Sequence, residues 1–248
     1  MTDIVLKELD EMKNGILRIS NLDLTALPDS PLWAEVVKLF CGGNQLTELP
    51  DLPNVKLLIC SDNQLTVLPK LPVIEELYCD NNQLTTLPDL PAVTSLWCHN
   101  NRLTILPKLP KLETTYCGGN QLTVMPQLPA VRLLHCSDNQ LTALPELSNI
   151  NILICSNNQL TVLPELPKKV SLHCVRNPFH YKPRYNRIYW TIIKFITLKL
   201  CIEKWKRFNM ESVSAKKQDL HLELKYSPDL PFYKDQPEYQ HWLENTRD

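Results

Sequence analysis

One pattern of apolar and polar positions runs through most of the chain. Residues 55–72 show it: VKLLICSDNQLTVLPKLP. Leu58 and Cys60 lie two apart, so on a strand both face inward while Leu57, Ile59 and Ser61 face outward. Asn63 follows where the strand gives way to a turn. Its amide is expected to bond backbone groups left unpaired there, in its own coil and in the next. Leu65, Leu68 and Leu71 then point back into a core. The prolines between them fix φ near −65° and remove donors, so the return path is extended or polyproline-like, not helical.

The pattern repeats without drift. Cysteine recurs at 41, 60, 79, 98, 117, 136, 155 and 174, always 19 residues apart. Asparagine follows three residues later, at 44, 63, 82, 101, 120, 139, 158 and 177. Leucine comes next, with Phe179 closing the series. Self-similarity at such a period marks a solenoid, in which each unit buries its apolar face only by stacking on its neighbours. About nine parallel strands are expected, counting a degenerate first coil. Nineteen residues leave no room for a helix on the convex side. Cysteine in place of a larger residue suits the thin core that results.

The arrangement x-L-x-x-L-x-C-x-x-N-x-L resembles the leucine-rich repeat family over residues 17–179, with cysteine in the second strand position. The L-P-x-L-P return is similar to the short repeats of secreted bacterial effectors. The compact period, together with the PDLPFY segment at Pro228 to Tyr233, resembles leucine-rich repeat proteins encoded by giant DNA viruses of the marseillevirus kind. The resemblance implies an α/β solenoid dominated by parallel strands, with a polyproline-like convex side and capped ends. It also implies a noncatalytic scaffold for protein partners. Some effectors with similar repeats carry a ubiquitin-ligase domain with a cysteine nucleophile. Cys201-Ile202-Glu203 is the only local echo of it, and about 70 residues are too few for that domain.

Both ends of the array need sealing. Residues 1–37 read as an N-terminal cap with a degenerate first repeat built on Leu17, Ile19, Leu22, Leu24 and Leu27. Ile4, Val5, Leu9 and Met12 suggest a short amphipathic helix over that end. The first step is 22 residues instead of 19. The added chain includes Ser30-Pro31, a pair that can cap one short helical turn. Residues 38–179 are the regular repeats, and 180–248 a C-terminal capping region. In the latter, 184–208 has helical spacing, Leu220 to Tyr226 alternates as a strand, and Pro237 to Asn245 suits a last short helix.

Composition adds limits. The 248 residues carry 26 Lys and Arg against 27 Asp and Glu, a net charge of −1. Such a balance argues against holding nucleic acid through bulk charge alone. No apolar run reaches the length of a membrane span. The first residues lack the apolar block of a secretory signal, so a reducing, cytoplasmic setting is expected, the host cytoplasm if the chain is viral. The eight phased cysteines then read as reduced packing residues. Stacked Cα atoms about 4.8 Å apart would permit disulfides, but parallel side chains do not aim at one another. A straight column also lacks the convergence of tetrahedral metal ligation, and no cofactor is indicated.

Candidate functional residues lie on the outward strand positions. The column before each cysteine is Phe40, Ile59, Tyr78, Trp97, Tyr116, His135, Ile154 and His173. An aromatic stripe facing water favours protein recognition, because rings bury much area with little rotamer loss. Cross-strand stacking alone would also favour rings there, and the C-terminal segment could cover them. Asp80 and His99, in the column after the cysteine, flank the centre and can approach each other. They lack the nucleophile and enclosed pocket that catalysis needs. A second candidate is electrostatic. Residues 182–217 hold ten basic residues, including Lys182, Arg184, Arg187, Lys204, Lys206 and Arg207, against Glu203 and Glu211, with aromatics between them. That composition suits an anionic membrane or nucleic acid, or else a solvated cap face. The primary expectation is a protein partner on the concave sheet, a host protein among the candidates. Adaptor function through the basic segment and homodimerisation through the aromatic stripe are the alternatives.

Overall fold

The chain divides into two units, Met1–Lys182 and Pro183–Asp248. The computed structural model describes residues 2–181. The basic residues from Lys182 to Arg207, Cys201, the PDLPFY segment and the expected C-terminal helix, strand and short helix lie outside the described residues.

Nine strands of three residues each, β1 (Ile16–Arg18), β2 (Lys38–Phe40), β3 (Leu57–Ile59), β4 (Glu76–Tyr78), β5 (Ser95–Trp97), β6 (Thr114–Tyr116), β7 (Leu133–His135), β8 (Ile152–Ile154) and β9 (Ser171–His173), form one sheet in sequence order. Every neighbouring pair is parallel. The registers repeat the sequence period: Ile16 pairs with Lys38 across 22 residues, and Lys38 with Leu57 across 19. Side chains of one repeat position therefore stack in columns, as the fixed period requires.

The middle residue of each strand faces the core. Leu58, Cys60, Leu65, Leu68, Leu71 and Ile74 are all buried and make one coil's apolar complement. A fully buried leucine contributes about 1.5–3 kcal/mol before chain entropy is counted. Among the described residues the return paths contain no helix beyond the short segments at the two ends. Thr115 takes a leucine position in β6 and is fully buried. Among the described residues its hydroxyl has no hydrogen-bond partner within ordinary distance; it neighbours the Cys117 thiol just past β6 and acts to lower that thiol's pKa.

Each asparagine ladder residue is buried, and it bonds backbone groups of its own coil, as expected, and of the preceding one. Asn63 Oδ1 accepts from Leu46 N at 3.0 Å, and Asn63 Nδ2 donates to Cys41 O at 3.0 Å and Cys60 O at 3.1 Å. The same set recurs at Asn101, on Leu84 N, Cys79 O and Cys98 O. This corrects the expectation that the amide reaches the following coil. The strand and turn N–H groups already donate forward, as Cys60 N does to Tyr78 O and Asp62 N to Asp80 O. The groups left over are the cysteine carbonyl of its own coil and, behind it, the leucine N–H and cysteine carbonyl of the preceding coil.

The N-terminal end is sealed by helix α1, Thr2–Asp10, and a 3-10 helix, Pro31–Glu35. Val5 and Leu9 are buried, but Ile4 is half exposed and Met12 lies past the helix end, so the buried stripe is narrower than expected. Ser30 caps the 3-10 helix by accepting from Leu32 N at 3.2 Å. Trp33 plugs the end, its Nε1 donating to Pro28 O at 2.9 Å. Leu22 is also exposed rather than core; its N–H and that of Leu24 both donate to Asn44 Oδ1 at 3.0 Å.

Candidate functional site

The strand positions flanking each inward residue form the solvent face of the sheet. Parallel pairing in fixed register sets like residues side by side, so the rings of β4, β5 and β6 meet. Tyr78 and Trp97 stack at a centroid distance of 4.4 Å and 10° between planes. Trp97 and Tyr116 stack at 5.2 Å and 12°. His135 ends the series edge-on to Tyr116, at 5.6 Å and 82°. Phe40, at the N-terminal end of the column, lies under the Arg18 guanidinium at 4.2 Å. Phe40, Ile59, Tyr78, Trp97, Tyr116, His135 and Ile154 are half-buried, and His173 in β9 is exposed.

Rings with parallel planes along the solenoid axis cover one another's faces and leave their edges to solvent. Tyr78 Oη points toward Glu76 Oε2 at 3.4 Å. Burial, and secondarily the Glu76 carboxylate, raises the Tyr78 pKa. Burial lowers the His135 pKa, with His99 adding to the shift and Asp138 opposing it. His135 is therefore held toward its neutral form. Among the described residues neither Trp97 Nε1 nor Tyr116 Oη has a hydrogen-bond partner, and neither is among the buried unpaired atoms. Both donors reach solvent.

Asp80 and His99 do come together, though not in a hydrogen bond: His99 Nε2 lies 3.6 Å from Asp80 Oδ2. The carboxylate is instead bonded by Ser61 Oγ at 2.7 Å and Asn81 Nδ2 at 3.2 Å. Ser61 was absent from the expected site, although it shares the 19-residue column with Asp80 and His99. In this trio the hydroxyl donates to the carboxylate and no base faces the serine oxygen, so the arrangement holds Asp80 in place and does not activate a nucleophile.

A further column escaped the sequence reading. Residues 43, 62, 81, 100, 119, 138, 157 and 176 all have positive φ, from 53° to 68°. Their identities, Gly, Asp, Asn, Asn, Gly, Asp, Asn and Arg, are mostly the types that tolerate this region, and their recurrence was the available signal. Their side chains bond in series: Asn81 Nδ2 to Asp62 Oδ1 at 2.9 Å, and Asn100 Nδ2 to Asn81 Oδ1 at 2.8 Å.

The cysteine column stands behind this face. All eight phased cysteines are buried, and the seven from Cys41 to Cys155 are free thiols. Burial pushes the thiols of Cys41 and Cys117 up to about 12, with the neighbouring Thr115 hydroxyl acting against the shift at Cys117. The Cys98 thiol is driven well upward by burial first and by Cys117 and Asp80 after it. Among the described residues no three His, Cys, Asp or Glu side chains are placed to hold a metal ion, and no helix is long and apolar enough to cross a membrane.

No protein-family model matches the sequence, and no curated protein matches it. Solved structures do. The chain is similar to YopM from Yersinia enterocolitica WA-314 at 32% identity and a TM-score of 0.55, over 63% of this chain and 40% of that one. It is similar to YopM from Yersinia pestis, described as a leucine-rich effector protein, at 31% identity and 0.57, over 71% of this chain and 59% of that one. The chain thus spans less than two thirds of either YopM. With the leucine-rich repeat domain of a Shigella effector it shares 31% identity at a TM-score of 0.55, over 75% of this chain and 81% of that domain. The likeness to giant-virus proteins rests on the sequence pattern alone. The parallel nine-strand solenoid, the phased asparagine ladder and these matches make the chain a member of the leucine-rich repeat family.

Proposed function

We propose that this protein is a noncatalytic scaffold that docks a protein partner on the solvent face of its sheet, centred on Tyr78, Trp97 and Tyr116. The supporting observation is the stacked ring ladder itself. Three large rings, rigid because each braces the next, present their edges side by side at fixed spacing. Pre-ordered rings lose little entropy on binding, which is why such groups carry much of the energy at protein interfaces. The effector-type repeats of the similar structures favour a protein partner in general. A host-cell protein met in the cytoplasm is the finer form of this reading, and a viral origin its finest.

Stacking within the sheet accounts for part of the ladder's stability, yet it leaves the Trp97 and Tyr116 donors unpaired. Adaptor function through Lys182, Arg184, Arg187, Lys204, Lys206 and Arg207, and pairing of two copies through the stripe, remain the competing proposals. The test is a pull-down with cross-linking and mass spectrometry. Trp97→Ala combined with Tyr78→Ala should abolish capture of the partner while the circular dichroism spectrum is kept. Undiminished capture sinks the reading. Salt-sensitive binding to anionic vesicles or oligonucleotides would favour the basic segment, and a mass that rises with concentration would favour the homodimer.

A further inference from the structure

The docking face is uneven in charge, and the unevenness bears on the partner's chemistry. Its three outward columns hold Lys38 on β2, Glu76 on β4 and Asp80 just past β4. From β5 to β9 the same columns read Ser95, Trp97, His99; Thr114, Tyr116, Gly118; Leu133, His135, Ser137; Ile152, Ile154, Ser156; Ser171, His173, Val175. None of these positions is Asp, Glu, Lys or Arg, and three are histidines. Along the rim, Glu113 lies 3.7 Å from Arg132 Nε, and Asp138 accepts from Asn157 Nδ2 at 2.6 Å while its charge still acts on His135.

We infer that the stretch from Trp97 to His135 receives an acidic, acceptor-rich segment of the protein partner, laid across the ring edges. The inference rests on the docking reading above and specifies its chemistry. Three observations carry it. From Tyr78 to Tyr116 the stacked rings cover one another's faces and offer their edges, and the edge of an aromatic ring is the positive end of its quadrupole. Trp97 Nε1 and Tyr116 Oη are solvent-reaching donors with no acceptor among the described residues. No carboxylate occupies any outward position of β5, β6 or β7, so an acceptor arriving between Trp97 and Tyr116 meets donors, with Asp80 beside His99 and Asp138 beside His135 bounding the stretch on its two sides. Toward β4 the sign reverses at Glu76 and Asp80, which fixes where the acidic segment must stop.

Covered faces also decide against nucleic acid here. Single strands bind aromatic platforms by laying bases on open ring faces, and between Tyr78 and Tyr116 the faces are taken.

The test selects peptides from a random twelve-residue display library on the immobilised full chain, then measures the best synthetic peptide by fluorescence anisotropy. The probe is compared on the wild-type chain and on Trp97→Phe with Tyr116→Phe, which keeps stacked rings but removes both donors. The expected result is enrichment of Asp and Glu in the selected peptides and a loss of about tenfold or more in the Phe variant, with its melting temperature nearly unchanged. Peptides without acidic enrichment, or acidic peptides indifferent to the Phe variant, overturn the inference; the docking reading survives this if Trp97→Ala with Tyr78→Ala still abolishes their binding. Peptides indifferent to both variants overturn both. A mixed-sequence single-stranded oligonucleotide that competes for the same residues overturns the inference in favour of nucleic acid.

Discussion

At the scale of single residues, the asparagine ladder does the most for the fold. Asn101 closes one donor and two carbonyls that have no other place to go: Leu84 N at 2.9 Å, Cys79 O at 3.0 Å and Cys98 O at 3.2 Å. A buried group left unpaired costs about 1–3 kcal/mol. Asn101→Ala should therefore destabilise by at least that amount in urea unfolding, whereas an effect within 0.5 kcal/mol, about that of a surface substitution, would show that water replaces the amide. The role of Asn101 was legible from its phase, three residues after each cysteine. The direction of its bonds was not, because it depends on which coil has already spent its backbone donors. Asp80 was legible as a neighbour of His99, but its stronger partner, Ser61, was hidden by being a common surface residue.

At the scale of elements, each strand ends in a turn that needs a left-handed residue, and the two glycines of the regular turns show why. Gly119 has φ of 64°, and a Cβ there would press on Asn100 Oδ1, the side chain whose amide nitrogen bonds Asn81. Gly119→Ala should cost about 1–2 kcal/mol from the backbone alone, read as a lowered melting temperature. Gly119→Asn, the type present at the equivalent residues 81, 100 and 157, should lower it less. Equal losses would contradict the left-handed account. The strands and the proline-rich return were readable because periods of 2 and 19 leave a plain imprint on the sequence. Helix α1 was readable in position but not in depth. Ile4 joins the apolar stripe on paper, and yet the end of the solenoid is only wide enough to cover Val5 and Leu9.

At the scale of the whole molecule, the phase of the repeat sorts thiols to the inside and rings to the outside, and each column has a solution consequence. A thiol raised from 9.0 to about 12, as at Cys41 and Cys155, keeps its proton in the fold and loses it in the unfolded chain once pH passes 9.0. The unfolded state then binds fewer protons, so stability falls as pH rises, until the folded thiols themselves ionise. Each thiol costs more than about 1 kcal/mol per pH unit in that window, and the column acts together. The urea midpoint should hold between pH 7 and 8.5 and collapse between about 9 and 10.5; a flat profile to pH 11 would mean the thiols are not buried. The identity of the partner was not legible, since the period specifies a surface and leaves its occupant open. The same sorting is tested most directly by iodoacetamide labelling at pH 8 with residue-resolved mass spectrometry. The account predicts that Cys60, Cys79, Cys98, Cys117 and Cys136 stay unmodified in the native chain and react fully in urea. Modification of Cys98 in the native chain at the rate of an unfolded peptide would contradict it.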